Sequence, residues 1–178
     1  MASDGALVKA FGIREGMCVR FSPDGRWLVG NDKSAYRFWH VGSWEEGPQA
    51  PVQTPLFVDW PPAFSPDGCL LALERGDGAV RLIEVASGRE LAVLEDQQQG
   101  RSGAMTFSPD GTQLLLTNKD NQVLRLWDLR RLRAGLKAID LDWAAPPYPA
   151  EDRAVPPPGS CRPLGIEVVG LGAAAAPE

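Results

Sequence analysis

Histidine is almost missing from this chain: among its 178 residues His40 is the one example. A lone imidazole with no partners clustered near it in sequence makes neither a metal centre nor a catalytic triad, so His40 reads as a structural or surface residue. Cysteine is scarce too. Cys18, Cys69 and Cys161 are odd in number and far apart, which excludes a CxxC metal or redox motif. Cys18 and Cys69 stand in apolar stretches and are expected to be inert core thiols, with Cys161 exposed. No apolar run approaches the roughly 18 residues that mark a spanning helix, so no membrane partner is expected. An excess of positive charge is also lacking. The net charge of −5 argues against a nucleic-acid partner, which calls for a basic face. The first residues hold no basic stretch leading into an apolar one, so no secretory leader is read, and a cytoplasmic location is expected.

What the chain does have is a repeat. Phe-Ser-Pro-Asp-Gly occurs at 21–25, 64–68 and 107–111, two equal spacings of 43 residues. Pro at the second place of a type I turn has its φ already set. Asp suits the third place, and the Gly that follows can take the left-handed conformation. Strand-like residues flank each copy, as in Met17–Phe21 and Arg26–Gly30, so each copy is predicted to be the tip of a β-hairpin. A second turn follows in each unit, containing Asp32, Asp77 or Asp120, and then a third strand: Ala35–His40, Ala79–Glu84 and Gln122–Asp128. The strands are apolar on both faces, as in sheets packed face to face.

A period near 43 residues, this turn, and a third strand ending in Trp127-Asp128 together resemble the WD40 repeat. Trp39-His40 and Ile83-Glu84 are degenerate copies of that dipeptide. The resemblance covers roughly residues 5–128, and it is nearest to repeats at the C-terminal ends of large bacterial WD40 proteins, some of which carry an upstream protein kinase domain. It implies an all-β fold: a partial propeller of about three blades of antiparallel strands. The expected organisation is WD40-type repeats over 1–128, an amphipathic helix over 129–143, and a Pro/Ala-rich, mostly irregular tail over 144–178.

The fourth strand of each blade is the least regular. Arg89–Leu94 reads well as one, and 47–62 should hold another despite five prolines. Ala6–Phe11 stands in the same phase and is expected to be the outer strand of a preceding blade. After Asp128 the period changes. Leu129, Leu132, Leu136 and Ile139 recur at helical spacing, with Arg130, Arg131, Arg133 and Lys137 between them. That basic face reads mainly as a solvated one, the functional alternative being an acidic or phosphate partner. Leu164–Val169 is a candidate isolated strand.

The remaining candidates for chemistry are weak. Asp32, Asp77 and Asp120 would form a carboxylate ring in a functional reading. Turn chemistry is the simpler account, and the resemblance implies it. Thr117, Asp120 and Trp127 supply three members of the hydrogen-bonded network of that family, but the histidine is missing. Asp24-Gly25, Asp67-Gly68 and Asp110-Gly111 lack the residue that the Asp-box of glycosidase propellers places between Asp and Gly. No kinase motif is present. No catalytic, cofactor-binding or metal residue is assigned, and no cofactor is expected. The expected function is a non-enzymatic protein-interaction or scaffold module, part of a longer propeller. The alternative is a regulatory or sensing part of a multidomain enzyme, such as a Ser/Thr protein kinase whose catalytic domain lies outside this chain. The protein partner is not named by the sequence. Either missing upstream blades or a second copy in a homodimer is expected to complete the ring.

Overall fold

Each Phe-Ser-Pro-Asp-Gly copy closes a hairpin. In the computed structural model, which describes residues 7–12, 18–32, 34–52, 61–75, 78–95, 102–118 and 122–148, the serine carbonyl accepts from the glycine amide in all three turns, at 2.9–3.0 Å. Gly25, Gly68 and Gly111 have φ of 71°, 71° and 72°, the left-handed conformation the turn requires. The serine hydroxyl donates to the aspartate carboxylate. It also accepts from the amide five residues on, at 2.9–3.0 Å, so one side chain stitches both strands at the tip.

The first sheet is β1 (Val19–Phe21), β2 (Trp27–Asn31), β3 (Ala35–His40) and β4 (Glu46–Pro51). The second is β5 (Ala63–Phe64), β6 (Leu70–Glu74), β7 (Val80–Glu84) and β8 (Glu90–Leu94). Both are antiparallel and run in chain order. The third is β9 (Ser102–Phe107), β10 (Gln113–Asn118) and β11 (Leu124–Asp128), with β10 in the middle. The repeat of the sequence is therefore a repeat of sheets, and the fold is a partial propeller, mostly β.

The sheets stack face to face. Val29, Tyr36 and Phe38 of the first pack with Phe64, Leu71, Leu73 and Ile83 of the second. The opposite face of the second sheet, Ala63, Leu70, Ala72, Val80 and Leu82, packs with Phe107, Leu114 and Leu116 of the third. The middle sheet is thus covered on both sides. Its strands β6 and β7 are buried along almost their whole length, which is why they read as continuous apolar runs.

Where the third sheet would have its fourth strand, the chain turns into α1 (Leu129–Lys137), shorter than the 129–143 expected of it. Asp128, the last residue of β11, caps the helix by accepting from the Arg130 and Arg131 amides at 3.0 and 3.1 Å. The helix ends because Asp140 adopts φ 56° and the Leu141 amide turns back to the Leu136 carbonyl at 2.9 Å. Leu129 is buried, and Leu132 and Leu136 pack beside it on the core between the second and third sheets.

The structure departs from other expectations at particular residues. Residues 7–12 are not in a strand; Leu7 and Val8 are 84% and 77% exposed. Phe11 instead lays its ring against Trp39 and Trp44, at 4.9 and 5.6 Å between centroids. Cys69 is exposed and Cys18 half-buried, so neither is a core thiol. Cys69 follows the glycine of the second turn and faces solvent beside the buried Leu70. The basic helix face is only partly solvated. The Arg133 side chain is 12% exposed, binds Asp142 at 2.9 and 3.1 Å, and donates to the carbonyls of Ala145 and Pro146. It also lies over the rings of Trp143 and Tyr148, holding 142–148 to the helix. Residues 144–148 form neither helix nor strand. Asp77, Asp120, Cys161 and Leu164–Val169 lie outside the described residues, as does the whole unit Pro149–Glu178.

Candidate binding surface

The first strand of each sheet is the one that meets its neighbours at one cavity. Arg20, Phe21 and Pro23 line it from the first sheet, Ala63, Phe64 and Pro66 from the second, and Met105, Thr106 and Phe107 from the third, around about 380 Å³. The three aromatic rings are the same residue of the repeat. Their exposure falls along the chain: Phe21 is 57% exposed, Phe64 9% and Phe107 8%. Phe64 and Phe107 are each covered by the preceding sheet. Arg20 stands exposed at the edge of this lining, the one cation among the lining residues.

The turn prolines and aspartates fix the spacing of the lining strands. A side-chain carbon on Gly68 would sit 2.8 Å from Cγ of Asp24, and one on Gly111 would meet Cδ of Pro66 at 3.4 Å. Each turn therefore nests on the glycine of the next, and the turns form one end of the stack. The aspartates are engaged inside their own turns. Asp110 has its carboxyl pushed down to about 2, first by the Ser108 hydroxyl and then by the Thr112 amide and hydroxyl, against a smaller effect of burial. For Asp24 burial raises the value, but the Ser22 hydroxyl, the Arg26 amide and the Arg26 charge outweigh it.

Asp32 accepts from the Ser34 and Ala35 amides at 2.7 and 2.9 Å and from Arg37 Nε at 3.0 Å. Burial works against its charge, yet these bonds hold it well below the usual carboxylate range. Turn chemistry therefore accounts for Asp32. His40 is exposed and stacks on Trp27 at 4.0 Å between centroids. The Cys69 thiol is pushed up by burial and by the Asp67 charge, which disfavours the reactive thiolate. No group of three or more metal-binding side chains exists among the described residues. No described helix is long and apolar enough to cross a membrane.

Two features escaped the sequence reading. One is the cavity itself, because its lining comes from strands 43 residues apart. The other is an arginine that recurs every 44 residues, at Arg37, Arg81 and Arg125. Arg81 is 5% exposed, is paired with Glu90, and donates from Nη1 to the Pro51 carbonyl at 2.7 Å. It thereby ties the second sheet to β4 of the first. The spacing was a readable signal, since a charged residue repeated inside apolar strands needs a repeated partner.

Comparison with known proteins places the architecture. Residues 13–39 match the family described as WD domain, G-beta repeat. Among solved structures, the chain is similar to the Kuenenia stuttgartiensis hydrazine synthase, with TM-score 0.56 and 17% identity, over 72% of this chain and 36% of that one. It is also similar to a structure described as KlHsv2 with loop 6CD replaced by a Gly-Ser linker, with TM-score 0.51 and 16% identity, over 63% of this chain and 37% of that one. Both are β-propeller structures, so the likeness is one of fold, and the chain spans little more than a third of each. A search of the curated proteins finds no significant match.

Proposed function

Taking the chain as a WD40-repeat propeller segment, we propose that it is a non-enzymatic protein-interaction module that docks an apolar segment of a partner in the cavity between its three inner strands. Repeats of this type suggest a scaffold role, although a fold does not by itself specify what is bound. The observation that carries the reading is the lining of that cavity. It joins Phe21, Phe64, Phe107 and Met105 to a single exposed cation, Arg20. Concave apolar surface with a few polar groups is the usual form of a recognition site. Arg20 would fix direction by meeting a carboxylate of the partner. The turn aspartates support a binding role rather than acid–base work, since their oxygens are committed to neighbouring hydroxyls and amides. In its complete context the segment would be one part of a longer ring.

Selection of a random peptide library on the purified chain tests this. Arg20→Glu and Thr106→Arg change exposed positions, so folding should be kept. Each should weaken the selected peptides by about tenfold, the effect of losing a little over 1 kcal/mol at an interface position. Selected peptides that ignore both substitutions, or no peptide above a scrambled control, would overturn the cavity as the site.

A further inference from the structure

The segment 142–148 sits on α1 as a peptide ligand would, not as part of a sheet. It is neither helix nor strand. Trp143 is buried and Tyr148 half-buried, and both rings pack on the core beside Leu132 and Leu136. Ala144, Ala145, Pro146 and Pro147, which join the two rings, stand exposed. Seated anchor side chains joined by main chain that bonds to the groove are a usual form of extended-peptide recognition. Burial pushes the Tyr148 hydroxyl up to about 12, against the nearby Arg133 charge, with the Asp67 and Asp142 charges adding to the rise.

Proline has no amide hydrogen, so Pro146 and Pro147 offer only their carbonyls. Arg133 donates from Nη1 to the Pro146 carbonyl at 2.7 Å and from Nη2 to the Ala145 carbonyl at 3.0 Å. The same guanidinium grips both oxygens of Asp142, at 2.9 and 3.1 Å. It lies 5.3 Å from the centre of the Trp143 ring and 5.5 Å from that of Tyr148. A planar cation that meets a carboxylate, two carbonyls and two rings at once suits one kind of segment. That segment has an acidic residue, an aromatic residue, then prolines and a second aromatic residue. The seat is complete without its occupant. Asp128 caps the start of α1, and the Leu141 amide closes its end on the Leu136 carbonyl, all before residue 142. A segment that adds nothing to the strand ladders can open locally while the sheets stay intact.

We propose that the surface of α1 around Arg133 is a docking site for a proline-rich segment of a partner protein, and that Asp142–Tyr148 is a resident ligand of the same chemistry that keeps the site closed. The partner segment carries a carboxylate followed by two aromatic side chains with prolines between them. A short tether holds the resident segment at an effective concentration of roughly millimolar, so a free partner segment enters only by competition. The site is separate from the cavity between the inner strands and does not depend on it.

The probe is a fluorescent synthetic peptide with the sequence of residues 142–148, Asp-Trp-Ala-Ala-Pro-Pro-Tyr. In the full chain, Trp143→Ala with Tyr148→Ala removes the resident anchors and leaves Arg133 in place. Fluorescence anisotropy should show this variant binding the peptide about tenfold more tightly than the unchanged chain does, because the competitor is gone. Adding Arg133→Ala to the variant should abolish the gain. Circular dichroism checks that the sheets persist. Equal binding by the variant and the unchanged chain, or binding that survives Arg133→Ala, overturns the proposal. A second measurement needs no substitution. Fluorine-labelled tyrosine gives two resonances, from the buried Tyr36 and from Tyr148. Unlabelled peptide at millimolar concentration should shift the Tyr148 resonance and leave Tyr36 in place. A Tyr148 resonance that does not respond overturns the proposal, however the variants behave. A dimer of the unchanged chain that Trp143→Ala abolishes would put the segment of a second copy in the site, and that too overturns it.

Discussion

At the residue scale, the turn aspartates show how little of the charge in this chain is available to a ligand. Asp110 is held by Ser108, by the Thr112 amide at 3.2 Å and by the Thr112 hydroxyl, with Arg130 Nη2 at 3.4 Å. Its carboxyl is pushed down to about 2 in the fold, below the ordinary range of an aspartate. A depressed carboxylate stabilises the fold fully above its unfolded value, and that contribution falls away as pH drops towards the folded value. Acid titration of stability should therefore show a loss between about pH 4 and pH 2, part of which disappears in Asp110→Asn. Urea midpoints measured across that range on both proteins check it. Parallel curves for the two would show that Asp110 contributes nothing to the acid limb. Equivalent serine–aspartate bonds in the other turns keep the loss from vanishing entirely in one variant.

At the scale of elements, the same pentapeptide does different work in different places. Gly25 and Gly68 share a φ of 71°, yet a side-chain carbon on Gly25 meets nothing within 4 Å, while on Gly68 it meets Asp24 at 2.8 Å. Gly25→Ala should cost about 1 kcal/mol from the left-handed conformation. Gly68→Ala adds the displaced contact and should cost roughly 2 kcal/mol or more. Denaturant unfolding of the two variants gives the comparison, and equal losses would show that turn nesting carries no weight. The helix makes the same point from the other side. The Trp-Asp dipeptide ends a strand in the repeat, but Asp128 here begins a helix, because Leu129, Leu132 and Leu136 recur on one face and have a core to pack on. Arg133 then decides that the segment to Tyr148 lies against that helix, which neither its own proline content nor the helical period foretold.

At the scale of the whole molecule, the stack has one sheet covered on both sides and two covered on one. Burial of apolar surface is the main stabilising term and is roughly proportional to area, so the stability of the sheets should follow their coverage. Amide exchange should be slowest in β6 and β7 and fastest in β1 and β11. Local opening free energies differ in this way within one domain when neighbouring contacts differ. Uniform protection across the three sheets would mean that they unfold as one cooperative unit. The architecture would then be more tightly coupled than a stack of repeats with nearest-neighbour contacts.

Much of the fold was legible because its determinants are local. A proline, an aspartate and a glycine in succession specify a reversal of the chain wherever they stand, and three copies at one period specify three equivalent hairpins. The turns at 21–25, 64–68 and 107–111 and the switch to helix after Asp128 follow from residues within a few places of each other. Elsewhere the outcome depended on which surfaces meet. Whether Cys69 is core or exposed, whether the basic residues of α1 face water or tie down 142–148, and whether Phe11 joins a strand or covers Trp39 are settled by neighbours far along the chain. The cavity between the inner strands belongs to the same class, since Arg20, Phe64 and Met105 share no local pattern. The repeating unit and its turns follow from residues close together in the chain, because short-range sterics and hydrogen bonding are enough for them. Which faces of those units are buried and which stand open was settled only by packing between distant segments, because burial is a property of pairs of surfaces that local sequence cannot carry.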